Sequence, residues 1–295
     1  KPFLDNGYKN ILGIDPAKNI VDIAKKNKIN TLPEYWCLET SEKIKKEKGS
    51  AKLIFARNVI PHVSELDQVL LGIYNMLDND GTGIIEFHYA GKILKELHYD
   101  SIYHEHLCYF SIQSISNLLH KYDLKPFHIE ESPTSGGSLS IFFSKSKKSI
   151  SNKLEKMKKL ENVEEVNLLS SWKLFADKTI KHRDDTNKLL KSNSNKKIIG
   201  FGSSARSQTY LNFCKIDKNQ ISMIIDNNHL KQGFYTPGSS IPIVSIDEGL
   251  GIKPDLIFIL GWNFSEEIIE ECRARGFKGD FISPFPGSPK IISNK

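Results

Sequence analysis

The chain has 295 residues, a formal net charge of +6 and 39% hydrophobic residues, which is enough to bury the cores of about two domains of ordinary size. Lys and Glu are mixed along most of the sequence and the densest basic stretches lack interleaved aromatic residues, which argues against nucleic-acid binding. The lack of a long apolar run, a signal-peptide pattern and closely spaced cysteines argues against a membrane protein, a secreted disulfide scaffold and a zinc site, and predicts a cytoplasmic protein.

Short apolar runs alternate with amphipathic segments in the first half of the chain. The predicted strands are 10–14, 51–56, 82–87, 126–130 and 138–143, and the predicted helices are 19–26, 66–77 and 114–122, with a turn at 78–81. Strands that alternate with helices are typical of a parallel α/β sheet. The sequence therefore predicts a first α/β domain over residues 1–145.

The second half begins with a charged helical segment from 151 to about 190, and a polar cluster at 191–195 interrupts the pattern. The predicted strands that follow are 197–202, 221–226, 256–260 and 280–282, with helices that end near 213 and span 265–275. We therefore expect a second α/β domain over residues 146–295 with a leading helical segment.

Two carboxylates follow predicted strands, where α/β folds bind nucleotides. Asp15 could accept both hydroxyls of a ribose, although it could equally cap the next helix. No Gly-rich turn precedes it, so we expect the chain to lack its N-terminal part. Gly200 to Ala205 matches the strand, G-x-G-x-x-A, helix pattern, and Asp226 ends the next strand, which together favour a nicotinamide cofactor unless the glycines serve only a tight turn.

The segment 100–111 crowds titratable groups between apolar residues. If it is extended, His104 and His106 lie on one side and could bind a metal with Glu105 or His88. They could also be histidines satisfied within the core. The pattern favours acid–base chemistry over both, because imidazole titrates near neutrality and a neighbouring carboxylate or phenol such as Tyr103 can orient it.

Short motifs along nearly the whole chain carry a resemblance to a known family. They lie at 13–16, 58–63, 103–106, 109–111, 136–139, 209–212, 230–233, 235–238 and 261–263. In order and spacing they resemble the S-adenosylmethionine (SAM)-dependent nucleotide-sugar C-methyltransferases, which methylate carbon 3 of 4-keto-deoxysugars. The resemblance implies a partial Rossmann-like class I methyltransferase domain followed by a second Rossmann-like α/β domain that binds the sugar nucleotide.

The resemblance also implies residue roles. His106 would be the general base, with Tyr103 and Glu105 assisting. The residues implied to bind SAM are Asp15, Asn58 and His62. Those implied to bind the sugar nucleotide, expected to be dTDP-linked, are Gly202, Ser203, Ser204, Arg206, Asp226, Lys231 and Trp262. No metal is expected at this site.

Three features differ from the family pattern. A Cys-rich zinc module and the Gly-rich turn for the methionine part of SAM are missing, and Arg206 stands where the family has Lys, which keeps a charge that can bind phosphate through two donors. The alternatives are an NAD-dependent sugar oxidoreductase and a non-catalytic remnant that binds a sugar nucleotide.

Overall fold

Residues 1–293 are described by a computed structural model, and their contacts divide them into two units built from separated segments. Unit 1 comprises Lys1–Phe87, Ile112–Ser132 and Leu139–Lys159, and unit 2 comprises His88–Ser111, Pro133–Ser138 and the described chain from Leu160 onward. The sequence predicts one boundary at residue 145. The contacts, by comparison, group His88–Ser111 with the C-terminal part of the chain.

Strands and helices alternate along most of the chain. The strands are β1 (Gly13–Ile14), β2 (Thr31–Leu32), β3 (Ala51–Arg57), β4 (Leu77–His88), β5 (Lys125–Ser132), β6 (Ser138–Ser144), β7 (Ile198–Phe201), β8 (Ile224–Ile225), β9 (Ile243–Val244), β10 (Leu256–Ile259), β11 (Asp280–Ser283) and β12 (Lys290–Ile292). The helices are α1 (Pro2–Asp5), α2 (Lys18–Lys26), α3 (Leu38–Lys48), α4 (Leu66–Met76), α5 (Ala90–Glu96), α6 (Ile112–Lys121), α7 (Asn152–Val163), α8 (Leu169–Ser192), α9 (Ala205–Cys214), α10 (Ile246–Gly251) and α11 (Ser265–Ala274).

The main differences from the predicted elements have local causes. The turn predicted at 78–81 is wrong, because these residues lie within β4. A register shift in its pairing with β3, between Ala51 and Leu53, accommodates them without ending the strand. Strands β2 and β9 contain two residues each, too few for a recognisable alternation of apolar and polar side chains.

Unit 1 holds two sheets. In the smaller one, β1 and β2 run parallel, with Gly13 opposite Thr31. The larger sheet has the order β3-β4-β6-β5, and β3 and β4 in it are parallel. Buried apolar side chains on its central strands include Ile85, Phe87, Ile141 and Phe143. The class I methyltransferase type of α/β architecture predicted for the first part of the chain fits the alternation of these strands with helices and the parallel pairing of β3 and β4.

Unit 2 holds a six-stranded sheet with the order β12-β11-β10-β7-β8-β9. Strands β7 to β11 all run parallel to one another, and β12 pairs antiparallel with β11 at the edge of the sheet. Along β10 and the residue after it, Leu256, Phe258 and Leu260 join one apolar cluster and Ile257 and Ile259 join another. The sheet is therefore apolar on both faces, as expected for a parallel sheet covered on both sides.

The chain order of the strands reverses at β7, whose neighbours are β8 on one side and β10 on the other. In open α/β sheets, ligands bind beyond the carboxyl ends of strands at such a reversal. The glycine turn at 200–202 lies at that end of β7. Within residues 1–293, no helix is both long and apolar enough to cross a lipid bilayer.

Candidate functional site

A close backbone contact dictates the glycine turn after β7. Gly202 has a φ of +98°, and a Cβ there would lie 2.8 Å from the amide nitrogen of Gly261, so only glycine fits. Helix α9 follows with a reciprocal cap. Ser207 N donates to Ser204 Oγ at 3.1 Å, and Ser204 N donates to Ser207 Oγ at 3.3 Å. The predicted strand, turn and helix are confirmed here.

Asp226 follows β8 and points back to the glycine turn. Its Oδ2 accepts hydrogen bonds from Ser203 N at 2.8 Å and from Lys231 Nζ at 3.3 Å, and its Oδ1 accepts one from Asn228 N at 2.9 Å. Lys231 Nζ also donates to Ser203 O at 2.8 Å. The structure thus brings together three of the residues predicted to bind the sugar nucleotide, with the lysine charge next to the carboxylate.

Arg206 lies in the first turn of α9 and binds a buried carboxylate. Its Nε and Nη2 donate to the two oxygens of Asp100 at 3.0 and 2.9 Å, and Trp262 Nε1 donates to Asp100 Oδ2 at 2.8 Å. The guanidinium also lies 4.8 Å from the centre of the Trp262 ring and donates to Ser135 O at 2.7 Å. The prediction that Arg206 binds phosphate stays a prediction, but most of this charge is balanced within unit 2.

Sequence reasoning missed Asp100. It starts the segment singled out for its titratable groups, yet its partners lie 106 and 162 residues further along the chain. The sequence shows an acid beside an aromatic residue, but it does not show that Asp100 is buried. Only burial makes a compensating cation necessary, so the sequence signal is partial.

His106 is oriented by a main-chain carbonyl. Its Nδ1 lies 2.8 Å from Ser101 O, and because a carbonyl can only accept, Nδ1 carries the hydrogen. In the neutral ring Nε2 is then the acceptor, and it lies 3.2 Å from the hydroxyl of Tyr103. Burial, and then the charge of Glu105, raises the pKa of Tyr103, so this phenol stays protonated and donates to Nε2. The predicted base thus has one defined tautomer.

The backbone around His106 is a turn and not the extended strand considered from the sequence. His106 N donates to Tyr103 O at 3.0 Å, and His104 and Glu105 are exposed on this turn. The alternation that would place His104 and His106 on one side is therefore wrong. Across residues 1–293, no group of three or more His, Cys, Asp or Glu side chains is arranged to hold a metal ion.

Two further histidines of unit 2 are buried in apolar surroundings. His88 and His98 stack with ring centres 5.8 Å apart, and His98 lies 4.6 Å from the Trp262 ring. Burial, with smaller contributions from the charges of Arg206 and His106, lowers the pKa of His88 to about 3. Burial likewise lowers the pKa of His98 to about 2. Both rings are neutral near pH 7, and neither is placed as a metal ligand.

The residues predicted to bind SAM lie in unit 1 on separate elements. Asp15 follows β1, and its Oδ1 accepts a hydrogen bond from Ala17 N at 2.8 Å. Ala17 is the N-cap of α2 and the helix has no side-chain cap hydrogen bond, so the alternative in which Asp15 caps this helix is wrong. Asn58 follows β3 with a φ of +50° and donates its N–H to Glu86 O at 3.0 Å. His62 ends a short 3-10 turn and is exposed. Their role in SAM binding stays a prediction.

Comparisons with known proteins identify two family models along the chain. A family model described as the C-methyltransferase C-terminal domain matches residues 133–286, and one described as a methyltransferase domain matches residues 1–129. The C-methyltransferase NovU of Streptomyces niveus is 30% identical over 290 residues, which are 96% of this chain and 68% of that protein.

Solved structures show more distant likenesses. A SAM-dependent methyltransferase of Thermotoga maritima, described as a possible histamine N-methyltransferase, is 15% identical with a TM-score of 0.36, over 46% of this chain and 72% of that one. The magnesium protoporphyrin IX methyltransferase of Synechocystis PCC 6803, with bound SAH, is 12% identical with a TM-score of 0.36, over 49% and 68%. The extent of the sequence matches shows that the chain belongs to the C-methyltransferase family and is a SAM-dependent methyltransferase.

Proposed function

We propose that the protein methylates carbon 3 of a nucleotide-linked 4-keto-deoxysugar. The observation that carries this proposal is the orientation of His106, whose Nδ1 is occupied by Ser101 O and whose Nε2 is left as the proton acceptor beside Tyr103. A carbon next to a ketone becomes a nucleophile only after it loses a proton. A C-methyltransferase therefore needs such a base together with a donor for the oxygen that gains charge.

In the proposed reaction, His106 Nε2 takes the proton from carbon 3, and the electron pair of the broken C–H bond forms an enolate with its charge on the carbon 4 oxygen. Tyr103 turns its O–H from Nε2 to that oxygen. A donor at such an oxygen contributes about 2.7 to 4 kcal/mol to the transition state. Nδ1 keeps its hydrogen bond to Ser101 O throughout, and Glu105 offsets part of the imidazolium charge.

When bound, SAM would supply a methyl group attached to a positively charged sulfonium: as the new carbon–carbon bond to the enolate forms, the sulfur–methyl bond would break and its electron pair would stay on sulfur, leaving neutral S-adenosylhomocysteine. We propose that Asp15, Asn58 and His62 hold this cofactor. The donor set fits: an ionised carboxylate has about four acceptor positions, and the structure commits one Asp15 oxygen to Ala17 N. The remaining capacity suits two ribose hydroxyls beyond the carboxyl end of a parallel strand.

We further propose that unit 2 is a Rossmann-like domain that binds the diphosphate of a dTDP-linked sugar. The strand reversal at β7 and the turn formed by Gly202, Ser203 and Ser204 at the start of α9 support this. An ammonium has three donors, and Lys231 uses two of them, on Ser203 O and Asp226 Oδ2. The third is suited to a phosphate oxygen.

Three more predicted contacts complete the proposed sugar-nucleotide site. Arg206 uses three of its five N–H donors in its bonds to Asp100 and Ser135, which leaves donors for an anion. The centre of the Trp262 ring lies 4.8 Å from the Arg206 guanidinium, and Asp226 keeps Lys231 in place. The family membership removes the support for an NAD-dependent oxidoreductase, and the engagement of Asp226 by Ser203 N and Lys231 agrees with that.

The test follows hydrogen exchange at carbon 3. The complete chain is incubated in D2O with a dTDP-linked 4-keto-deoxysugar, and proton NMR measures loss of the carbon 3 signal, first alone and then with SAM. We expect exchange and methylation in the native protein. His106→Ala should slow both by about 10² to 10⁴-fold, whereas the matched His104→Ala variant, altered at an exposed ring on the same turn, should retain them.

Two outcomes would overturn the proposal. Exchange that persists in His106→Ala would place the base elsewhere. Binding of the sugar nucleotide, measured by calorimetry, without exchange in the native protein would favour the non-catalytic alternative.

A further inference from the structure

We propose that Asp100 is a positioning residue for His106: its buried carboxylate, held by Arg206 and Trp262, fixes the turn whose carbonyl selects the tautomer of the base. This inference rests on the proposed function, because it assigns Asp100 a purpose only if the Nε2 lone pair of His106 takes a proton.

The first step is the hydrogen bond between His106 and Ser101. Which nitrogen of a histidine carries the proton is set by the hydrogen bond that the other nitrogen makes. Here the Ser101 carbonyl holds Nδ1 at 2.8 Å, so its direction decides where the basic lone pair points. A shift of this carbonyl would allow the opposite tautomer, in which the lone pair is on Nδ1 and faces away from Tyr103.

The second step is the turn that carries this carbonyl. Tyr99–Ser101 forms a single 3-10 turn, and Ser101 N and Ser101 Oγ both donate to His98 O, at 3.1 and 2.7 Å. The following residue, Ile102, is 44% exposed, and Leu107 is 53% exposed. These two side chains therefore contribute little packing, whereas Tyr99 and Asp100 within the turn are 5% and 1% exposed and anchor it.

The third step is how Asp100 anchors the turn. Asp100 is 1% exposed, and three N–H groups from Arg206 and Trp262 converge on its two oxygens at 2.8 to 3.0 Å. Paired N–H donors from one guanidinium fix the plane and direction of a carboxylate. Asp100, the residue before Ser101, is thereby held by Arg206 in the first turn of α9 and by Trp262, the residue after Gly261.

The energetics favour a positioning role over a purely stabilising one. Burying an ion pair costs desolvation that its attraction only roughly repays, and apolar replacements of similar size are often neutral or stabilising. What the Asp100–Arg206 pair contributes instead is a fixed position and direction of the Asp100 carboxylate. The Arg206–Asp100 pair also joins the first turn of α9, in the proposed sugar-nucleotide site, directly to the turn that orients the base.

The test reads the tautomer of His106 directly. Protein labelled with ¹⁵N in its histidines is examined by NMR, where the protonated and unprotonated imidazole nitrogens have different shifts, and the His106 signals are assigned with His106→Ala. We expect one tautomer with Nδ1–H in the native protein. Asp100→Asn should reduce the population of this tautomer, relative to the other one, at least about tenfold. It should also lower kcat for carbon 3 exchange by at least about tenfold, with a smaller change in KM. The reason is that a wrong tautomer costs up to about 10⁴-fold in a comparable catalytic histidine.

Two comparisons separate positioning from loss of stability. Tyr89→Phe removes another buried hydrogen bond of unit 2, to Glu161 Oε2 at 2.9 Å, without touching the turn, and should leave the tautomer and kcat unchanged. The double variant Asp100→Leu with Arg206→Met removes both buried charges. It should recover thermal stability relative to Asp100→Asn while the tautomer stays mixed.

A single Nδ1–H tautomer in Asp100→Asn, or its recovery in the double variant, would overturn the positioning role even if His106 is the base. Carbon 3 exchange that persists in His106→Ala would instead overturn the proposed function, whatever the NMR spectra of Asp100→Asn show.

Discussion

Unit 2 contains histidines in two contrasting environments. His106 is hydrogen-bonded through both ring nitrogens, to Ser101 O and the Tyr103 hydroxyl, on a turn with exposed neighbours. His88 and His98 are buried next to Trp262, and their pKa values are lowered to about 3 and about 2, chiefly by burial. The same side chain thus keeps polar partners at both ring nitrogens in one environment and is held neutral by burial in the other. The difference lies in desolvation and hydrogen-bond partners and not in the residue type.

The largest expected effect comes from removing the Tyr103 hydroxyl, a hydrogen-bond partner of His106. Tyr103→Phe removes the hydroxyl that lies 3.2 Å from His106 Nε2 and that we expect to donate to the enolate oxygen. We predict a fall in kcat for carbon 3 exchange of about 10²-fold or more, as for loss of one oxyanion donor. The matched variant is Tyr89→Phe, which loses a buried hydroxyl contact of 2.9 Å to Glu161 Oε2 away from this turn. Equal rates in the two variants would remove Tyr103 from the proposed chemistry.

The next effect concerns the buried side of the contrast. The folded-state pKa of His88 is about 3, below the ordinary value of about 6.5, so the unfolded chain binds more protons. The stabilising contribution is complete above about pH 6.5 and is lost as the pH falls toward 3. We predict that the free energy of unfolding of the native protein falls by about 2 kcal/mol more between pH 8 and pH 5 than that of His88→Gln.

Urea unfolding at several pH values measures this difference. His120→Gln, at an exposed position near the end of α6, serves as the control and should follow the native pH dependence. If His88→Gln also follows it, His88 is not held neutral by burial and the contrast with His106 fails.

The smallest expected effect is at His104. Its ring is exposed two residues before His106, and substitutions at such surface positions change stability by less than about 0.5 kcal/mol. We predict that His104→Gln changes the free energy of unfolding by less than about 0.5 kcal/mol and leaves the rate of carbon 3 exchange close to that of the native protein. A large loss of activity would show that the turn holds two working histidines and would revise the assignment of the base.

Local rules predicted the glycine turn and helix α9, because the G-x-G-x-x-A pattern from Gly200 to Ala205 is readable within a few residues, whereas the close contact of Gly202 with Gly261 appears only in the fold. The stretch around His106 was also recognised from its composition. Its conformation was not, because a turn and a strand with the same polar pattern differ only through long-range contacts. The bond of Ser101 O to His106, and the anchoring of Asp100 by Trp262, appear only in three dimensions.

The grouping of segments into units was equally beyond local rules. His88 ends a strand whose preceding residues belong to unit 1, yet it belongs to unit 2. Periodicity identifies strands and helices one at a time. It carries no information on which distant segments share a core, so a single boundary in chain order was the simplest prediction available.

The contact between Gly202 and Gly261 limits how this protein can be redesigned. With a prospective Cβ only 2.8 Å from a backbone nitrogen, every amino acid other than glycine at position 202 would displace the chain after β10. A mutant library meant to alter ligand binding at this turn gains nothing from randomising this codon.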